Sequence, residues 1–307
     1  MSQVILHHYQ LSPYSEKTRL AMGLKKVAWS SVDIPIWTPR PKLTPMTGGY
    51  RRTPIAQVGA EFYCDSLHIF QLLEQLGGAG RLYPPGQESL AKAIGWWFEK
   101  GSFFNAVSVA MGGMEGVPQE LIDERLPLFG VNIDPEVLRP ERAKYLQRVD
   151  AHLQWIDDLL SDGRNFLLGA EPSAADLSVY HPLWFVRQNG GDEVNELVNR
   201  STVIDAWYGR VAAIGHGDFT ELTADQAIDA ARESDPSEPV EWSREAENVG
   251  LHRGDKVTVT PDDYGNPVYG TLIAWAENRV VLRHEDPSVG KVNLHFPRVG
   301  FDVALAA

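Results

Sequence analysis

The sequence predicts an α/β domain over residues 1-80, an all-helical domain over 88-232 and a small all-β domain over 246-307. Hydrophobic spacing carries the division. Short β-branched runs alternate with amphipathic helical segments in the first eighty residues, only the helical period persists from Glu88 to Arg232, and a period of two returns after Ala246. A chain of 307 residues also exceeds the usual size of one core, which agrees with several domains.

The first domain reads β-α-β followed by β-β-α. "QVILHHY" is a short strand, and "SEKTRLAMGLKK" follows with helical spacing at Leu20, Ala21 and Leu24. "AWSSVDI" is a second strand, leading into an irregular stretch from Pro35 to Gly49 with room for a short helix. "PIAQV" and "EFYC" flank Gly59-Ala60 and predict a hairpin. "DSLHIFQLLEQL" then carries Leu67, Phe70, Leu73 and Leu76 as an apolar stripe, with Asp65 or Ser66 as N-cap and Gly77-Gly78 as its stop.

"ESLAKAIGWWFEKGSFFNAVSVAM" and "RPERAKYLQRVDAHLQWIDDLL" predict two long amphipathic helices, and the stretch from Gly112 to Pro140 between them has no assignable pattern. Ser173 and Asp176 form the reciprocal pattern of a capping box at the head of "PSAADLSVYHPLWFVR". Helices from about Val203 to Ile214 and Ala224 to Arg232 complete the region, and "ESDPSEPVEWSRE" reads as a linker. "DKVTVT", "VYGTLIAWA", "RVVLRH", "KVNLHF" and "FDVAL" then predict five short strands, for which an SH3-like barrel is the preferred arrangement. This terminal module is expected to be autonomous or nearly so.

Composition limits the function classes. The net charge is −13, which argues against nucleic-acid binding, and the terminal module holds six basic against eight acidic residues. Residues 1-80 nevertheless carry eight Lys and Arg against five Asp and Glu, which reads either as local attraction for an anionic small molecule or as ordinary surface variation. The single cysteine, Cys64, excludes an internal disulfide framework, and no Cys/His cluster has metal-site spacing. No run reaches the roughly 18 apolar residues a membrane helix needs, and the first residues lack a basic segment followed by an apolar core. A cytoplasmic protein without a metal is expected.

Ser12, Pro13, Tyr14 and Ser15 match the frame of the glutaredoxin Cys-Pro-Tyr-Cys helix start with hydroxyls in place of thiols. Three further features follow in order: Thr53-Pro54 before a strand, the acidic-Ser pair Asp65-Ser66, and the Ser173-Asp176 capping box. Together they resemble the cytosolic glutathione transferase family, a thioredoxin-like domain followed by an all-helical one, over about the first 230 residues. The resemblance implies glutathione as cosubstrate, a small hydrophobic electrophile as second substrate, detoxification with conjugation as the default reaction and isomerisation, dehalogenation or peroxide reduction as alternatives that need the same thiolate, a homodimer, and a cis bond at Thr53-Pro54. It extends no further than about Glu233.

The residues themselves give each feature a physical reading. Ser12 reads either as a plain N-cap or as a hydroxyl donor to a glutathione thiolate held at the same helix start, with Tyr9, Tyr14 and Ser15 as alternative donors. Lacking both thiols, the tetrapeptide has no dithiol exchange of its own. Thr53-Pro54 reads on its own as an ordinary trans turn before a strand; the cis bond that the resemblance implies would turn the backbone N–H and C=O of Thr53 outward to an extended peptide. Asp65 and Ser66 cap a helix whose free N–H groups suit the γ-glutamyl carboxylate, with Asp65 available to its ammonium. Arg40, Lys42, Arg51 and Arg52 are solvated charges or partners of the glycyl carboxylate. Cys64, His7, His8, His68 and His181 read as structural, and Trp37, Trp96, Trp97, Phe103 and Phe104 as core or as the wall of an apolar pocket. The rival reading is a non-catalytic adaptor that engages a partner through its C-terminal β-domain.

Overall fold

The computed structural model describes residues 3-263 and 265-306. The N-terminal elements are β1 (Val4–His8), α1 (Pro13–Lys25), β2 (Trp29–Asp33), α2 (Thr44–Thr47), β3 (Ile55–Val58), β4 (Glu61–Cys64) and α3 (Ser66–Leu76). Next come α4 (Glu88–Gly101), α5 (Phe103–Gly113), α6 (Gln119–Phe129), α7 (Pro135–Leu138), α8 (Arg142–Leu160), α9 (Ala174–Asn189), α10 (Asp192–Asn199) and α11 (Thr202–Ala212). The chain ends with β5 (Phe219–Glu221), α12 (Ala224–Arg232), α13 (Arg244–Asn248), β6 (Lys256–Pro261), β7 (Val268–Trp275), β8 (Arg279–Asp286), β9 (Gly290–Pro297) and β10 (Phe301–Leu305). Contacts divide it into two compact units: Met1–Gln10, Ala28–Leu72 and Phe219–Ala307 in one, Leu11–Val27 and Leu73–Asp218 in the other.

The first unit is built on one sheet with strand order β10-β6-β7-β8-β9-β4-β3-β1-β2-β5. β3 and β4 form the expected hairpin, in which Gly59 takes φ +59°, a conformation that suits a residue without Cβ, and a Cβ there would lie 2.7 Å from Ser234 Oγ. All five C-terminal strands form where the period of two places them, β6 to β9 as an antiparallel meander with β10 returning beside β6. β9 also pairs with β4 in parallel, Phe62 opposite Leu294, so the ladder runs on into the N-terminal strands. The apolar core is shared across that junction. Ile5, Val32, Ile55 and Phe62 belong to one buried cluster with Ile228, Val257, Leu272 and Phe296.

Two features of this unit were not readable beforehand. β5 extends the sheet beside β2, with Phe219 stacked on Trp29 at 4.7 Å; three residues are too few to display a period. The acidic stretch read as a linker is tied down: Ser237 N–H donates to Glu61 Oε1 at 2.6 Å, and Arg253 donates to the carbonyls of Pro239, Val240 and Glu241.

The second unit centres on α9, which is buried through most of its length and is crossed by α1, α4 and α5. Its head carries the expected capping box. Ser173 N–H and Oγ–H donate to Asp176 Oδ2, both at 2.9 Å, while Asp176 Oδ1 accepts from Leu167 N–H at 2.8 Å and Trp207 Nε1–H at 2.9 Å. The segment expected as one helix from Glu88 breaks at Ser102 into α4 and α5, where Gly101 and Ser102 are both poor helix formers. Gly112 to Pro140 holds α6, α7 and a 3-10 turn at Arg139–Glu141. α1 passes so close to the segment after α11 that a Cβ on Gly23 would lie 2.1 Å from Gly215 O.

Candidate functional site

α1 starts as its sequence dictates. Ser12 adopts extended backbone angles, Pro13 occupies the first helical position, and Ser12 Oγ accepts the Ser15 N–H at 3.2 Å. The cap uses one lone pair of the hydroxyl. Its O–H finds no acceptor among the described residues, so capping and donation to an anion at this positive helix end are compatible roles.

Behind this start lies a buried polar group that the sequence did not announce. Lys17 Nζ pairs with Glu99 Oε1 at 2.5 Å and lies 5.3 Å from the Tyr14 ring centre. Burial is the largest influence on Glu99 and opposes its ionisation, but Lys17 and His181 together outweigh it and hold the carboxyl at about 2. His181 packs on Tyr14 at 4.6 Å and stands 3.8 Å from Glu99, beyond hydrogen-bond reach; burial lowers its pKa to about 4, so it is neutral. Tyr14 also packs on Phe103 at 4.9 Å, and Ser15 Oγ is buried without a hydrogen-bond partner among the described residues.

In the sheet unit, Thr53–Pro54 is cis, as is Thr38–Pro39. Thr53 lies just ahead of β3, and its backbone makes no hydrogen bond among the described residues. Its hydroxyl is held by Arg40. That guanidinium is 3% exposed and donates to Pro35 O at 2.8 Å, Ile36 O at 3.0 Å, Arg51 O at 3.0 Å and Thr53 Oγ1 at 2.9 Å. Arg51, also buried, donates to Ile36 O at 3.1 Å. Two of the four arginine and lysine candidates are therefore braces of the loop ahead of Thr53.

α3 opens differently from α1. Asp65 has φ +76°, unusual for a non-glycine residue, and is held there by its own cap: Oδ1 accepts the Leu67 N–H at 2.9 Å and its carbonyl accepts from His68 and Ile69. Ser66 is buried, and its hydroxyl has no protein partner among the described residues. Thr53, Pro54, Asp65 and Ser66 thus share the sheet unit, whereas Ser12 belongs to the helical one.

The residues 6–80 match the model of the glutathione S-transferase N-terminal domain, and residues 139–210 that of the C-terminal domain. A solved GST-like protein from Pseudomonas syringae is 34% identical, with all of both chains covered and a TM-score of 0.77. The chain belongs to the glutathione S-transferase family. It is also 25% identical, over 56% of its own length and 72% of the relative's, to FtsZ-localized protein A of Caulobacter vibrioides. A rice GST solved in complex with glutathione shares the fold at 18% identity and a TM-score of 0.50, covering 75% of this chain and 95% of that one.

Outside these helix starts the transferase fold holds a second polar cluster, again built by residues distant in sequence. His295 on β9 donates to Glu61 on β4, which also accepts from Asn293 Nδ2 at 3.0 Å. Burial opposes the Glu61 charge, yet these donors hold its carboxyl below the usual range, and burial lowers the pKa of His295. Tyr63 stacks on His295 at 4.5 Å, and His68, hydrogen-bonded to Gln71, is pushed down to about 3 by burial. Cys64 is wholly buried in the core, where burial pushes its thiol pKa well up. Among the aromatic candidates, Phe103 is core, while Trp96 and Trp97 on α4 are each 38% exposed and Trp97 packs at a tilt against Trp155 of α8, with ring centres 4.5 Å apart. Among the described residues no group of three His, Cys, Asp or Glu is arranged to hold a metal, and no helix is long and apolar enough to cross a membrane.

Proposed function

We propose that this chain binds glutathione and activates its thiol for attack on an apolar electrophile, acting as a cytoplasmic homodimer. The observation that carries the reading is the uncommitted O–H of Ser12 at the N-terminus of the 13-residue helix α1. A thiolate there accepts that hydrogen and is stabilised by the helix end, which lowers the thiol pKa from its ordinary value of about 8.5. The sulfur then forms a bond to the electrophilic carbon, and the leaving group departs with its electron pair. In this reading the free backbone groups of Thr53, beside cis Pro54, pair with the cysteinyl unit, and Ser66 with the α3 N-terminus takes the γ-glutamyl carboxylate beside Asp65.

A non-catalytic adaptor is the second reading, favoured by the relative named for its localisation with FtsZ. Calorimetric titration with glutathione, followed by an assay of conjugation to an aryl halide, separates the two. Binding with conjugation supports the transferase. Binding without turnover on a panel of electrophiles favours the adaptor, and no binding of glutathione overturns the proposal.

A further inference from the structure

Four cationic residues stand ahead of Thr53, and each is engaged in its own way. Arg40 and Arg51 are buried on backbone carbonyls. Lys42 pairs with Asp225, both well exposed. Arg52, adjacent to Thr53, pairs instead with Asp263. That carboxylate comes from 211 positions away, in the turn between β6 and β7, outside both stretches that match the transferase domains. The two side chains keep 17% and 27% of their surface exposed, and Asp262 and Asp263 lie in an exposed turn. The pair is therefore neither sealed in the core like Arg40 nor mostly exposed like the Lys42–Asp225 pair. A part-exposed ion pair is weak enough to exchange partners.

We infer that Asp263 is an internal competitor for the carboxylate end of a bound γ-glutamyl peptide: the glycyl carboxylate of glutathione reaches Arg52 by displacing Asp263. This rests on the glutathione reading above. A peptide running along the backbone of Thr53 brings its terminal carboxylate toward the neighbouring guanidinium, where two carboxylates repel and one fork of donors serves one of them. The C-terminal strands then set how strongly the site prefers a carboxylate-ended thiol peptide over one whose end is neutral. They also couple the position of the β6–β7 turn to occupancy.

The test uses the full chain and two probes, glutathione and its glycyl amide, titrated calorimetrically into wild type, Asp263→Asn, Arg52→Gln and the double variant. Removing the competing charge should tighten glutathione by about two- to fivefold while leaving the amide unchanged. Arg52→Gln should weaken glutathione but not the amide, and Asp263→Asn should tighten glutathione less in that background than in wild type. Circular dichroism confirms that each variant is folded. If wild type binds glutathione and Asp263→Asn binds it no tighter, or tightens both probes alike, the inference is overturned while the glutathione reading stands. If glutathione binds to none of the four proteins, the glutathione reading fails and this inference with it.

Discussion

α1 and α3 both begin at residues expected to serve one ligand, yet the two starts are built on opposite plans. At α1 the backbone is relaxed: Ser12 is extended, Pro13 fits its position, and the hydroxyl caps with a lone pair to spare. At α3 the backbone is strained at Asp65, and Oδ1 of its carboxylate caps the turn while Ser66 is left without a protein partner among the described residues. The contrast separates two demands on a helix N-terminus. A hydroxyl that donates to an anion needs only a cap in a common conformation. A site that grips a carboxylate through N–H groups needs the chain ahead of the helix turned aside, and the φ of Asp65 records that turn.

The largest test concerns what anchors each start. Glu99→Ala leaves the buried ammonium of Lys17 on α1 without its carboxylate and should cost about 3–5 kcal/mol in a denaturant melt. A loss under about 1 kcal/mol would show that α1 does not depend on this pair. Acid acts on both starts, because neutral buried histidines flank them: His181 beside Tyr14, at about 4, and His68 on α3, at about 3. Their folded pKa values lie below the unfolded value near 6.5, so protons bind the unfolded chain first. Stability is then intact above about pH 6.5 and falls on acidification by about 1.4 kcal/mol per pH unit for each histidine. Melts from pH 7 to 5 check the slope, and His68→Gln should reduce it.

A finer comparison uses two substitutions of Asp65. Alanine removes the cap and must still adopt φ +76°, so it should lose about 1–3 kcal/mol of stability together with glutathione affinity. Glycine accepts that φ and serves tolerably as a cap, so Asp65→Gly should keep most of the stability and lose affinity alone. Equal glutathione affinity in wild type and Asp65→Gly would remove the carboxylate from the site.

What the sequence disclosed follows from range. β6 to β10 were legible because alternation repeats over five to eight residues, and Ser12, Thr53-Pro54, Asp65 and the Ser173-Asp176 box because caps and X-Pro bonds are local. β5 was too short, and α6 buries only Arg125 and Leu128, which leaves no apolar stripe to recognise. The pairs Lys17–Glu99, Arg52–Asp263 and Glu61–His295 join residues 82, 211 and 234 positions apart, and nothing near either partner marks the other. Arg40 looked like a surface charge beside the site because its carbonyl partners are supplied by a loop with no period.

Ser12 carries the central claim, and titration of bound glutathione tests it most directly. Following thiolate absorbance against pH in the binary complex, Ser12→Ala should raise the bound thiol pKa by about one to two units, since a hydrogen bond to a charged group contributes about 1.5–3 kcal/mol. Glutathione affinity at a pH where the thiol is protonated should stay nearly unchanged, and loss of the cap should cost a further 0.5–2 kcal/mol or so of stability. A destabilised Ser12→Ala protein whose bound thiol titrates as in wild type would reduce the Ser12 hydroxyl to a cap and move the donor to Tyr9, Tyr14 or Ser15.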